Sequence, residues 1–510
     1  MPRLRLFSCL LTLALFAWTS VSLAQDDDQR RRRPVKASVS YDFAAESLGA
    51  TPGGAQDITF FRDRVSAGEV PHPNTMTPEG LFSEHDLPLP TGQRCTGLLC
   101  VTGQAMAAEL LVQPEVRYLA QLGFDSGIDA STFKRDRLHL VAVVDKSGSM
   151  TGRIDLVKES LIAALDHLEP DDAISIVLYG DRSHVHLEPT AAKNRDAIVR
   201  AIQQIAISGS TNMEAGLTVG FALARQHAKD FHGITRVMLF TDERPNVGRT
   251  DAGSFMDMAQ SASKDGIGMT TIGVGIQFGA ELATQISSVR GGNLFFFADV
   301  NNMKKVFAED FDTLVTELAF DVHLVITPAK GLKITGIYGI PGDMLKWTDA
   351  GALELTIATL FLSRRKGAIY AAFASADGDA LPTTRVAIGN PVGHVNLRYS
   401  QRDSTPSASQ VDLVLSDSPA LGLARGFYLV NQITALKAAT ALHHEKNDQD
   451  GAYKIMHALG ALMRQDSDST LAAERELVFK LEAHLATLAG YQGESTPTPH
   501  RDSITGLPTF

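Results

Sequence analysis

Leu138-His139-Leu140-Val141-Ala142-Val143-Val144-Asp145-Lys146-Ser147-Gly148-Ser149-Met150 decides how the rest of the chain is read. An apolar, β-branched run closed by a turn of small residues is the pattern of a strand buried on both faces of a parallel sheet. The run ends at Asp145, hydroxyls follow at alternate positions (Ser147 and Ser149), and a helix-like pattern starts at about Arg153. In open α/β sheets the C-terminal ends of the strands face the crevice that receives ligands. A carboxylate and two hydroxyls at that place are hard oxygen donors, the kind that Mg²⁺ and Mn²⁺ prefer.

Outward from this run the chain alternates. Strands are predicted at Ala173 to Tyr179, Arg236 to Phe240, Thr270 to Val274 and Asn293 to Phe297. Helices are predicted at Asp155 to Leu168, Ala191 to Ile205, Glu214 to Ala228, Phe255 to Ser263, Glu281 to Val289 and Met303 to Leu318. Such alternation implies an α/β fold, a doubly wound and mostly parallel sheet covered on both faces. After Ala319, short strands punctuated by Gly and Pro suggest an appended β-rich, sandwich-like domain. Helical spacing returns from Ser418 to about Leu488. The expected partition is a signal peptide at 1–24, a charged flexible linker at 25–55 and a small N-terminal module at 56–135. The α/β domain follows at 136–319, the β-rich domain at 320–410, a helical C-terminal segment at 411–490 and a flexible tail at 491–510.

Several function classes are disfavoured by composition. The chain has 510 residues, 44% hydrophobic, and a formal charge of -11, which argues against a general nucleic-acid binder. Arg3 and Arg5, the apolar run Leu6 to Trp18 and the small-x-small site Ser22-Leu23-Ala24 read as an export signal. No later stretch is long and apolar enough for a membrane span. The expected location is therefore periplasmic or secreted. Removing the signal leaves Cys95 and Cys100; an oxidising compartment and an even count favour a disulfide, with two free thiols as the alternative.

Two further features join the opening stretch. Gly209-Ser210-Thr211-Asn212 places a hydroxyl at a helix start, and Leu239-Phe240-Thr241-Asp242 places a second carboxylate at a strand end. In a doubly wound sheet both lie on the rim that carries Asp145. Asp145-Lys146-Ser147-Gly148-Ser149, Thr211 within Ser-Thr-Asn-Met-Glu-Ala-Gly-Leu, and Asp242 within Thr-Asp-Glu-Arg-Pro-Asn resemble the von Willebrand factor type A (VWA) family and its metal-ion-dependent adhesion site. The whole arrangement resembles exported bacterial VWA proteins of the YfbK-like group. The resemblance implies that Ser147, Ser149 and Thr211 hold Mg²⁺ (or Mn²⁺ or Ca²⁺) through hydroxyls, with Asp145 and Asp242 acting through waters and hydrogen bonds. It further implies a free position for an Asp or Glu of a partner protein. The family often has Gly after the second aspartate, where this chain has Glu243.

Catalytic patterns are scarce. The chain has no Gly-x-Ser-x-Gly elbow and no Gly-Lys pair for a P-loop. His443-His444-Glu445 lacks the second histidine of a zinc motif, His184 and His186 have nothing to complete a site, and Asp171-Asp172 fits a turn or cap. The expectation is a non-enzymatic protein for metal-dependent adhesion or envelope assembly. The alternatives are an exported hydrolase of unrecognised type and a channel-associated subunit.

Overall fold

The computed structural model describes residues 47–51, 58–90, 95–129, 131–242, 252–274, 292–297, 311, 315–340, 345–363, 368–377, 385–491, 500–501 and 508–509. The signal sequence, Glu243, the helix read at Glu281 to Val289 and most of the tail lie outside these residues.

In chain order, β1 (Ser47–Thr51) precedes α1 (Thr59–Ser66), α2 (Pro78–Ser83), β2 (Cys100–Ala107) and β3 (Val116–Asp129). Then come β4 (Leu138–Asp145), α3 (Ile154–Ala164), β5 (Ala173–Tyr179), β6 (His184–Ala191), α4 (Arg195–Gln203) and α5 (Met213–Phe231). They are followed by β7 (Ile234–Thr241), α6 (Ala252–Lys264), β8 (Ile267–Val274) and β9 (Gly292–Phe297). The second half contributes β10 (Glu317–Pro328), β11 (Leu332–Tyr338), β12 (Leu345–Trp347), β13 (Leu353–Ser363), β14 (Ile369–Ser375), β15 (Pro391–Ser400) and β16 (Pro406–Val414). Three helices follow, α7 (Leu421–Ala441), α8 (Gln449–Met463) and α9 (Ala472–Leu488).

The α/β layer is a sheet of order β6-β5-β4-β7-β8-β9, parallel except for the edge strand β6. Strand β4 sits where the winding changes direction, between β5 and β7, so its C-terminal end opens on the crevice of a switch point. All eight of its residues are buried. Leu138, Leu140, Ala142 and Val144 face α3 and α4, while Val141 and Val143 face α5 and α6. This two-sided burial is why the run reads as continuously apolar rather than alternating.

The β-rich part departs from the partition expected of it. Instead of a sandwich confined to 320–410, strands from both halves of the chain share one antiparallel sheet, β11-β14-β3-β1-β13-β10-β15-β16, with β2 on β3 and β12 on β13. The sheet curls until β16 meets β2, through the Ala105–Leu415 bridge and a Ser416 N–H to Ala105 carbonyl bond of 2.8 Å. Ser47–Thr51, read as linker, is the strand that fills the gap between β3 and β13. Its small residues show no alternation; its pairing partners on both sides make it a strand. The segment 58–90 is likewise no separate module, being too short to bury its own apolar face. Phe61, Leu81 and Phe82 share a core with Leu429, Ile433 and Leu481 of the C-terminal helices. Arg62 donates to Glu474 at 2.7 Å, and Arg425 donates to the Asp86 carbonyl at 2.7 Å. Cys95 and Cys100 form a disulfide at the start of β2. No helix among the described residues is long and apolar enough to cross a membrane.

Candidate functional site

Three loops meet above the C-terminal ends of β4, β5 and β7. The Lys146 N–H donates to the Tyr179 carbonyl (3.0 Å), the Ser208 N–H to the Lys146 carbonyl (2.6 Å), the Gly148 N–H to the Gly209 carbonyl (3.1 Å) and the Asn212 N–H to the Gly180 carbonyl (3.2 Å). These backbone bonds hold the hydroxyl-bearing turn against the loop that leads into α5. Gly209 is required there: its φ is +88°, and a Cβ would stand 2.7 Å from an Asp181 carboxylate oxygen.

Asp145 is fully buried at the end of β4. Its Oδ1 accepts from the Ser147 N–H at 2.9 Å, and its Oδ2 accepts from the Tyr179 hydroxyl at 3.2 Å and the Thr241 hydroxyl at 3.1 Å. Burial raises the pKa of this carboxyl; donation from Ser147 and Thr241 opposes the shift, and the nearby charge of Asp242 adds to it. Burial and the Asp145 charge together raise the Tyr179 hydroxyl well above its ordinary value. Ser147 Oγ and Ser149 Oγ lie 2.9 Å apart, and Ser149 Oγ donates to Asp242 Oδ1 at 3.0 Å. Asp242, fully buried, also accepts on Oδ2 from Arg153 Nη1. Thr211 is buried between Gly209 and the Asn212 cap, whose Oδ1 accepts from the Ala215 N–H at 3.0 Å.

Asp145, Ser147, Ser149 and Asp242 are thus linked by hydrogen bonds, and Thr211 stands on the loop stitched to the same turn. Sequence reasoning missed Tyr179, Thr241 and Arg153. Tyr179 reaches Asp145 as its register partner in the parallel β4–β5 pair, a pairing that residue spacing does not encode. Thr241 simply precedes Asp242, whereas no motif points to Arg153.

The other polar candidates are engaged elsewhere. His443 Nδ1 lies 2.6 Å from Gln449 Oε1, His444 Nε2 lies 2.9 Å from the Val70 carbonyl, and His186 Nε2 lies 2.8 Å from the Ala201 carbonyl. Asp172 is buried and accepts from the Leu138 and Glu169 N–H groups, each at 2.7 Å, and from Arg135. Among the described residues no three His, Cys, Asp or Glu side chains cluster to hold a metal.

The family model for the von Willebrand factor type A domain matches residues 139–309. The uncharacterized protein YfbK of Escherichia coli is 31% identical over 193 residues, which cover 37% of this chain and 33% of that protein. The uncharacterized protein sll0103 of Synechocystis sp. is 26% identical over 293 residues, 56% of this chain and 66% of that protein. The chain therefore spans less than two thirds of either relative's length. A solved structure of a von Willebrand factor type A protein from Catenulispora acidiphila aligns over 82% of this chain and 93% of its own, at 15% identity and a TM-score of 0.46, too loose a likeness to bear on role. Residues 139–309 belong to the von Willebrand factor type A domain family, and the chain is homologous to the bacterial VWA proteins YfbK and sll0103.

Proposed function

We propose that the rim of the VWA domain binds a divalent cation, Mg²⁺ or Mn²⁺, and through it a carboxylate of a partner protein. Ser147, Ser149 and Thr211 would hold the ion through their hydroxyls, and Asp145 and Asp242 would orient its waters. The carrying observation is the donor set itself. Ser147 Oγ and Ser149 Oγ are 2.9 Å apart. Neighbouring oxygens of an octahedron with bonds of about 2.1 Å lie about 3 Å apart, so the pair fits one edge of a small, hard ion's shell. Asp145 holds the turn through the Ser147 N–H, and Asp242 holds the Ser149 hydroxyl, so both carboxylates pre-set the hydroxyls. When bound, the ion supplies a Lewis-acid position for a carboxylate oxygen from an Asp or Glu. The role is binding rather than catalysis, with Asp145 buried as an acceptor of three hydrogen bonds rather than a base facing a substrate.

The place of action in this reading is the periplasm or the exterior, supported by the signal-like N-terminus and by the Cys95–Cys100 disulfide. Two measurements test the function. Calorimetric titration of the full chain with MnCl₂ is expected to show one site, lost in Asp145→Ala. A pull-down from bacterial envelope extract in Mg²⁺ is expected to retain a partner that EDTA or Asp145→Ala releases. Equal retention under all three conditions would exclude metal bridging.

A further inference from the structure

We infer that Arg153 tunes this rim as an internal cation, weakening its hold on a divalent ion and strengthening the loaded rim's hold on a carboxylate. The inference rests on the metal-binding reading above and concerns a residue outside its ligand set. The observation is an asymmetry between the two buried carboxylates. Asp145 accepts from a backbone N–H and two neutral hydroxyls. Asp242 instead accepts from the Arg153 guanidinium on Oδ2 and from Ser149 on Oδ1. Among the described residues, Lys146, a second cation on these loops, donates to Ser208 Oγ at 2.6 Å rather than to either carboxylate.

Arg153 is well placed for this. Its backbone is fixed at the start of α3, with its N–H on the Met150 carbonyl at 2.9 Å and its carbonyl accepting from Val157 at 3.2 Å. Its side chain is 33% exposed, so the head can move while the main chain stays. Asp242 is wholly buried, where unlike charges attract more strongly than in water.

The charge balance gives two effects of opposite sign. With both carboxylates ionised, Asp145, Asp242 and Arg153 together carry a single negative charge, a weaker attractor of a divalent ion than the two carboxylates alone. Once loaded, that trio carries one net positive charge, which an incoming carboxylate neutralises. Without Arg153 the loaded pair would already be neutral. Arg153 therefore trades metal affinity for partner affinity.

The test uses the full chain as wild type, Arg153→Gln and Arg153→Lys. Gln removes the charge and keeps an amide donor on a shorter side chain; Lys keeps the charge and loses the planar fork. Mn²⁺ affinity is read by electron paramagnetic resonance of the free ion. Roughly ten-fold tighter binding is expected for Arg153→Gln, within the usual range of coupling between sites, and a smaller change for Arg153→Lys. At saturating Mn²⁺, a blocked peptide carrying one Glu is expected to bind roughly ten-fold more weakly to Arg153→Gln than to wild type. Equal Mn²⁺ affinities, or equal peptide affinities of the loaded proteins, would overturn the tuning role alone. Absence of Mn²⁺ binding in wild type and variants alike would sink the metal reading together with it.

Discussion

His139 lies on β4 at the end opposite Asp145, and its ring is wholly buried. Its Nε2 is 2.7 Å from Ser175 Oγ, and its Nδ1 is 3.1 Å from His227 Nδ1. Burial and then the neighbouring His227 lower its pKa to about 3. An unfolded chain takes up this proton near the ordinary 6.5, the folded chain only near 3, so the unfolded state holds more protons between those values. Stability from this group is therefore complete above pH 6.5 and is lost as pH falls, by up to about 1.4 kcal/mol per pH unit. Urea unfolding at pH 7 and pH 4.5 is expected to show a smaller acid loss in His139→Gln than in wild type; the same loss in both would refute the assignment. At this scale the rim was partly legible. Asp145, Ser147, Ser149, Thr211 and Asp242 stand in motif order along the chain. Arg153 and Tyr179 reach the carboxylates only through the turn of α3 and the register of β5, which residue spacing does not encode.

Helix α5 is the element that carries the Thr211 loop, and it lies unusually close to the sheet. A Cβ at Gly216 would stand 2.7 Å from the Tyr179 ring, and one at Gly220 would stand 2.5 Å from Val143 Cγ2. Gly216→Ala must therefore push the helix off β5, at a cost of about 1–3 kcal/mol for overpacking. A drop of several degrees in melting temperature is expected, accompanied by weaker Mn²⁺ binding as the Thr211 loop shifts. A variant melting like wild type would show that the helix has slack. Helix α5 was legible because its start carries a cap sequence; the expected Glu214 to Ala228 became Met213–Phe231. Strand β6 was not, because its residues are half-buried or exposed, without the alternation of a one-sided strand. The helix expected to reach Leu318 gives way to β10 at Glu317, where pairing with β13 outweighs helical spacing.

Across the molecule, the VWA sheet is joined to the curled sheet by a buried ion pair. Arg236 of β7, fully buried, donates to Glu317 of β10 at 2.5 Å and to Thr270 Oγ1 at 2.9 Å, and stacks 4.9 Å from the Phe361 ring of β13. Removing one partner leaves an uncompensated charge, so Glu317→Gln is expected to cost about 3–5 kcal/mol. The double change Arg236→Met with Glu317→Gln is expected to cost less than Glu317→Gln alone, since no charge is left stranded. Chemical denaturation of both variants checks this; a double variant weaker than Glu317→Gln would contradict it. The curled sheet was the least legible feature, because β1, β2 and β3 pair with or abut strands more than two hundred residues away. Local patterning marks strands but not such partners.

That pairing has a mechanical consequence. The VWA domain is inserted between β3 and β10, and the rungs Asp129–Ser47, Gly49–Ser363 and Glu317–Phe361 bring the end of β3 and the start of β10 to the same end of the curled sheet's strands. With three strand spacings between them, the two chain crossings leave that end of the sheet roughly 15 Å apart. A load applied at the rim is shared by two covalent tethers anchored in one hydrogen-bonded layer, so it shears that layer along its strands instead of peeling one strand from its edge.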